Sequence, residues 1–226
     1  MKHILSIAAI VSALASPAIA EDVPWAGLYV GASFDWGIGT RDITVPSAFN
    51  PRQNSDRFGY GATGILGYNW QSGPLIFGVE ADVGWGNIQP RMTYLSKTTT
   101  EAIHIYTTYD YQASLRARIG YVLPWSVLGF VTGGGALVHS QSHIVETIGV
   151  GPNWGPAVAD DNTAVWQLGW TYGAGLEKAL GQNLSVRLEW QHIETGDYSF
   201  DYSTPSVQTT ASMASDLGRL GMFWRF

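Results

Sequence analysis

The stretch YQASLRARIGYVL, residues 111–123, decides the fold. Tyr111, Ala113, Leu115, Ala117, Ile119, Tyr121 and Leu123 alternate with Gln112, Ser114, Arg116, Arg118, Gly120 and Val122. Seven apolar residues at a period of two describe a strand with one apolar side, and both arginines fall on the other side. The assignment matters because residues 119–138 form a run of twenty without a charge, long enough to cross a bilayer as a helix. Membrane helices tolerate proline and glycine, so Pro124 and the triplet Gly133, Gly134 and Gly135 leave the choice open. The alternating flank settles it: the strand runs into Pro124-Trp125-Ser126, a turn, and the apolar run reads as a hairpin.

The same alternation recurs on both sides. Leu28, Val30, Ala32, Phe34 and Trp36 oppose Tyr29, Gly31, Ser33, Asp35 and Gly37. Phe58, Tyr60, Leu66, Tyr68 and Trp70 oppose Gly59, Gly61, Thr63, Gly67 and Asn69, and Leu75, Phe77, Val79, Ala81, Val83 and Trp85 oppose Ile76, Gly78, Glu80, Asp82, Gly84 and Gly86. Further on, Trp166, Leu168, Trp170, Tyr172, Ala174 and Leu176 oppose Gln167, Gly169, Thr171, Gly173, Gly175 and Glu177, while Leu184, Val186, Leu188 and Trp190 oppose Ser185, Arg187, Glu189 and Gln191. The weakest segment, 127–139, reads with Leu128, Phe130, Ala136 and Val138 on the apolar side and the glycines on the other. With the C-terminal LGRLGMFWRF, eight strands are expected at about 26–39, 58–70, 75–88, 106–123, 127–140, 163–180, 184–198 and 213–226. Tight turns at 71–74, 124–126 and 181–183 alternate with long polar segments at 40–57, 89–105, 141–162 and 199–212. That alternation is the signature of an antiparallel up-and-down barrel, and outer-membrane barrels put the short turns on the periplasmic side, with the termini, and the long loops outside.

Burial of the apolar faces has two solutions, a soluble barrel with apolar residues inside or a transmembrane barrel with them in lipid. The charges choose. Asp35, Glu80, Asp82, Glu177 and Glu189 and the arginines Arg116, Arg118, Arg187, Arg219 and Arg225 all occupy the polar, glycine-rich phase. An eight-stranded barrel is only just wide enough to be filled by side chains, and the glycine-rich phase is the one that fits. Five acids and five arginines therefore face a narrow lumen as a salt-bridged plug. An open sheet edge in lipid would leave unpaired backbone groups, so the sheet must close. Lys178, Glu194 and Asp216 break the pattern, but they stand at strand ends. Trp36, Phe58, Trp85, Trp166 and Trp190 at one end, and Trp70, Phe77, Tyr121, Trp224 and Phe226 at the other, read as two interfacial girdles.

The N-terminal MKHILSIAAIVSALASPAIA has a basic start at Lys2, an apolar middle and a small-residue motif at Ala18-Ile19-Ala20, so residues 1–20 are expected to be a cleaved secretory signal peptide and 21–226 the barrel domain. The chain has no cysteine, so disulfides do not hold it together in an oxidising compartment. Its charged fraction of 13% contains no basic cluster, which excludes nucleic acid as an expected partner. No second domain is expected after the last strand.

Residues 25–31 (WAGLYVG), the stretch GWTYGAGLEKALGQNLSVRLEWQHIETGDY at 169–198 and the terminal Phe226 resemble the small eight-stranded outer-membrane barrel family of opacity-type surface proteins, similar in architecture to the membrane domain of OmpA. The resemblance implies a Gram-negative outer membrane with long loops extracellular and termini periplasmic. It implies partners in outer-membrane lipid and lipopolysaccharide, and surface or host ligands on the loops. It also implies that Leu220, Met222, Trp224 and Phe226 form the signal read by the barrel-assembly machinery. Family members are implied to serve envelope integrity, surface exposure and adhesion, some relatives binding haem or conducting small solutes. The expected role is structural and surface-interacting; a narrow channel for ions or small solutes is the alternative, and a lipid A-modifying enzyme the third reading.

Three clusters carry residue types that could support chemistry. Trp190, His192 and Glu194 share the lipid-facing phase as in lipid A deacylases, but Glu194 stands where a nucleophilic serine two residues after the histidine is needed and Thr195 points to the other face. His139, His143 and Glu146 are too few and too loosely placed for a metal or haem site. Gly133, Gly134 and Gly135 lack the Lys-Ser/Thr of a phosphate loop and fit as small residues facing a crowded lumen. No catalytic residue, metal or cofactor is expected.

Overall fold

The computed structural model describes residues 25–44, 49–55, 57–89, 91–96, 101–148, 157–203 and 206–226. The expected signal peptide, 1–20, lies outside them. The strands are β1 (Gly27–Thr44), β2 (Phe49–Ser55), β3 (Arg57–Ser72), β4 (Leu75–Ile88), β5 (Arg91–Ser96), β6 (Glu101–Leu123), β7 (Val127–Ile148), β8 (Ala157–Ala179), β9 (Leu184–Thr195), β10 (Tyr198–Ser203) and β11 (Ser206–Arg225). Eight of them make an antiparallel ring in the order β1-β3-β4-β6-β7-β8-β9-β11. β11 closes it by pairing with β1 from Tyr29↔Arg225 to Thr44↔Thr210. The protein is an eight-stranded antiparallel β-barrel.

One end carries the tight turns. Gly73 takes φ 58°, a left-handed conformation that glycine adopts at no steric cost, while Trp125 (φ 63°) and Ser126 (φ 56°) adopt it without that freedom. The start of β1 and the end of β11 are pinned at this same end: the Phe226 amide donates to the Leu28 carbonyl at 3.0 Å, and the Trp25 amide to Gln71 Oε1 at 2.8 Å.

The opposite end projects further than the sequence pattern foretold. Segments expected as polar loops are in large part strand: β1 reaches Thr44, β6 begins at Glu101, β7 reaches Ile148, β8 begins at Ala157, and β2, β5 and β10 extend the ladders of β6 and β11. The amino-acid order of these segments carries no sustained apolar–polar period, but hairpin neighbours continue to satisfy one another's backbone groups. Register shifts between Trp85 and Ile88 and between Tyr109 and Tyr111 bend the sheet at this level.

Alternation is strict through the middle of the barrel. β3 runs exposed–buried from Phe58 to Trp70, and β4 from Leu75 to Trp85. Registration aligns Trp85, Tyr111, His139 and Trp166 side by side across β4, β6, β7 and β8, which forms one aromatic girdle on the outer surface. Trp70, Phe77, Tyr121, Trp224 and Phe226 are exposed at the tight-turn end.

β7 is a correction. Leu128, Phe130, Ala136 and Val138 point inward and are buried, whereas Gly129, Val131, Gly133, Gly135 and Leu137 make the outer face. Its two faces differ too little in hydropathy for the pattern to choose between them. The neighbours choose instead: Phe130 lies under the Arg118 guanidinium at 3.9 Å, so that phase belongs with the lumen.

Candidate functional site: a charged lumen between two apolar layers

Each inward charge arrives by the parity of its strand. Asp35 comes from β1, Glu80 and Asp82 from β4, Arg116 and Arg118 from β6, Glu177 from β8, Arg187 and Glu189 from β9, and Arg219 and Arg225 from β11. All ten are 5% exposed or less. The structure brings them into one network.

Glu80 is its hub. One carboxylate oxygen accepts from Arg118 at 3.2 Å, Arg187 at 2.8 Å and the Tyr29 hydroxyl at 2.5 Å, and the other from Arg116 at 3.1 Å. Glu177 forms a second centre, accepting from Arg118 at 2.7 Å, from Arg187 Nε at 3.0 Å and from the Ser185 hydroxyl at 2.6 Å, with Arg225 at 3.5 Å. Arg116 also donates to Glu189 and lies 3.2 Å from Asp82. Toward the long hairpins the network loosens: Arg219 stands 3.6 Å from both Asp35 and Asp82; Asp35 otherwise accepts from the hydroxyls of Ser33 and Thr63, and Asp82 from that of Ser114 beside its pairing with Arg116. Ion pairs removed from water are offset only if the remaining polar atoms find partners; every carboxylate oxygen of Glu80 and Glu177 has one, whereas Nε of Arg116 and Arg118 does not.

Aromatic rings complete the cage. Arg118 lies over Phe130, Arg187 over Phe223 at 3.8 Å and Arg225 over Trp25 at 4.5 Å. Room for these rings comes from inward glycines: a Cβ at Gly31 would enter the Phe223 ring, and one at Gly67 the Tyr29 ring.

Apolar layers lie above and below the charges. Trp25, Ile76, Leu128 and Ala179 cluster at the tight-turn end. Toward the hairpins Ile88, Tyr109, Ala136, Val138, Ile193, Met213 and Leu217 form a second buried cluster. A cavity of about 30 Å³ lies beside Asp35, between Gly59, Gly61, Ser215 and Leu217, space for a water but not a solute. Tyr29 and Ile76 fall in the inward phase by sequence, but neither the bond from Tyr29 to Glu80 nor the two apolar layers was foreseen. The available signal was Ile88, Met213 and Leu217 continuing the parity of inward residues on their own strands.

His139 is hydrogen-bonded to Asp110 at 2.6 Å and lies against Trp166, a position in the girdle. The Glu146 side chain lies outside what is described. Among the described residues no three potential metal ligands converge. His192 faces outward between Asp216 at 3.0 Å and Glu194 at 4.0 Å, and Thr195 points inward to Gln167. Leu220, Met222, Trp224 and Phe226 form one exposed stripe on β11.

An aromatic-banded exterior around a charged interior defines an integral β-barrel of the bacterial outer membrane. The chain belongs to the family of the outer membrane protein beta-barrel domain, which it matches over residues 6–212. It is similar to the 25 kDa outer-membrane immunogenic protein of Brucella abortus, with 26% identity over 208 residues covering 92% of this chain and 82% of the relative. It is likewise similar to the 22 kDa outer membrane protein of Rhizobium leguminosarum bv. viciae, with 26% identity over 198 residues, 81% of this chain and 75% of the relative. Among solved structures the outer membrane protein OprG of Pseudomonas aeruginosa shares the fold, with a TM-score of 0.52 and 10% identity over 89% of this chain and 96% of that one.

Proposed function

We propose that the protein is a structural and surface-contact component of the outer membrane, not a channel and not an enzyme. Its barrel anchors it, its lumen is a closed plug, and its long hairpins are the contact face. The observation carrying this reading is the paired charge layer held between two apolar layers. A solute would have to displace both apolar layers and break ion pairs that have no water to replace them. Among the described residues the charged groups beside His192 are the carboxylates of Asp216 and Glu194, and the serine that the catalytic alternative needs two residues on is Glu194. In planar bilayers the purified chain is expected to give no stable single-channel conductance. A reproducible conductance lowered by Arg116→Ala or Glu80→Gln would favour the channel.

The orientation belongs to the same reading. Tight turns and termini face the periplasm, and the hairpins face outward, where they would meet lipopolysaccharide and surface ligands. The outer stripe Leu220, Met222, Trp224 and Phe226 on β11 is the segment offered to the barrel-assembly machinery, since β11 is the strand that must pair with β1 to close the wall. The chain has no cysteine, so single replacements report position cleanly. In intact cells Gln89→Cys, at the hairpin end, is expected to react with a membrane-impermeant maleimide. Gln182→Cys, in a tight turn, is expected to react only after lysis; the reverse pattern would invert the orientation.

A further inference from the structure

A groove of about 330 Å³ opens at the hairpin end of β3 and β4, lined by Arg57, Phe58, Gly59, Tyr60, Asn87 and Gln89. Register fixes its level. Trp36 of β1 pairs with Tyr60, Ile38 with Phe58 and Gly39 with Arg57, so the groove begins beside Trp36 and runs toward the hairpins. The rings of Phe58 and Tyr60 are exposed on the outer surface. Arg57, one step nearer the hairpins, is exposed too, and among the described residues no carboxylate lies within ion-pair range of it. Beside it Gln89 Nε2 donates to Asn87 Oδ1 at 2.7 Å, which leaves the Asn87 amide donors and the Gln89 carbonyl oxygen for other partners.

Charge at this end of the barrel is divided between its two sides. The first two hairpin segments, 40–57 and 89–105, carry Arg41, Arg52, Arg57, Arg91 and Lys97 against Asp42, Asp56 and Glu101. The last two, 141–162 and 199–212, carry Glu146, Asp160, Asp161 and Asp201 and no lysine or arginine. Strand pairing gathers the basic set: Ser55, two residues before Arg57, pairs with Arg91, and Arg41 follows by two the Gly39 that pairs with Arg57. A chain of net negative charge thus turns a basic sector to one side, and the groove lies in that sector.

An exposed guanidinium beside two amides and two rings fits a phosphate carried on an acylated sugar. The planar fork donates parallel bonds to phosphate oxygens, amides meet sugar hydroxyls, and aromatic rings with one apolar side lie against acyl chains at the interface. A soluble anion would engage the arginine alone and leave the rings without a role. With the hairpins facing outward, the molecule at this level is the phosphorylated glycolipid of the outer leaflet. We propose that the groove docks a phosphate of the lipid A headgroup of lipopolysaccharide, held by Arg57, with Asn87 and Gln89 on the sugar and Phe58 and Tyr60 against the acyl chains. The assignment rests on the orientation given above for its place in the cell, and on the groove for its chemistry.

The test is native mass spectrometry of the refolded chain released from detergent with equal amounts of bisphosphorylated lipid A, its dephosphorylated form and phosphatidylglycerol. One-to-one adducts of bisphosphorylated lipid A are expected to exceed each of the others about fivefold, the ratio that a differential of about 1 kcal/mol produces. Arg57→Gln is expected to remove most of that preference and Arg57→Lys to keep part of it, since lysine offers a point charge without the fork. Lys178→Gln, which removes an exposed cation at the turn end, is expected to leave it unchanged. Arg57 is a surface residue, so its variants are expected to keep their heat-modifiable gel mobility. Equal retention of dephosphorylated lipid A or of phosphatidylglycerol, or a preference untouched by Arg57→Gln, would overturn the proposal. So would release of the bound lipid by inorganic phosphate at the same concentration, because it would assign the groove to soluble anions. The orientation fails by a different result, labelling of Gln182→Cys in intact cells, so the two failures are distinguishable.

Discussion

Replacing Glu80 with alanine is expected to lower the unfolding free energy of the barrel by about 3 to 5 kcal/mol, the cost of leaving buried charge without its partner. Glu80 is fully buried and accepts from three guanidinium groups and the Tyr29 hydroxyl at once. The carboxylate's removal strips Arg116 of one of its acids and leaves Arg118 and Arg187 to share Glu177. Urea titration of the chain in lipid vesicles, followed by tryptophan fluorescence and by heat-modifiable mobility, measures the loss. The origin of the cost makes a second expectation. Most of it comes from the orphaned cations and little from the ion pairs themselves, so Glu80→Ala combined with Arg187→Ala should lose much less than the sum of the two single variants. Additive losses would mean that the network is an assembly of independent pairs. Asp35→Ala is the contrast: its arginine stands 3.6 Å away and its firm partners are two hydroxyls, so a loss of about 1 to 2 kcal/mol is expected.

Much of this arrangement is visible in the amino-acid order because a barrel wall has only two faces. Where those faces differ strongly, as at Leu115 against Arg116 and Arg118 or at Leu220 against Arg219, a period of two states which residue sees lipid. Parity does not state who meets whom. That Glu80 draws arginines from β6 and β9 follows from closure across the lumen, and no local pattern contains it. Nor does parity survive where both faces share one character. Above the girdle polar and apolar residues mix without a sustained period, so β6, β7 and β8 run longer than expected. At Met213 and Leu217 the inward side turns apolar, and the second apolar layer goes unannounced. In β7 the outer side is half glycine, and the phase inverts. The ten lumen charges were legible one at a time, but their division between the Glu80 and Glu177 centres depends on distances.

The inverted phase of β7 gives the sharpest single-residue test. Gly133 lies on the outer face, between Ala117 and Tyr172, and a Cβ built there meets only the Thr171 carbonyl, at 3.9 Å. No steric or dihedral demand requires glycine at this position. Gly133→Leu is therefore expected to change stability by less than about 1 kcal/mol, since lipid takes the new side chain and a glycine in a strand is itself mildly unfavourable. Gly133→Arg is expected to cost about 2 to 4 kcal/mol, the penalty for a cation on the lipid face near mid-depth. An inward Gly133 would reverse the order: leucine would collide with the packed network, and arginine would find acids. The neighbouring position calibrates the result. At Gly134, in the inward phase, a Cβ would run into the backbone of Leu115 and Arg116, so Gly134→Leu should be the more damaging of the two leucine substitutions. Reading the three variants in the same urea titration separates the two phases by sign of the difference, because overpacking and lipid-face charge act on different side chains at different positions.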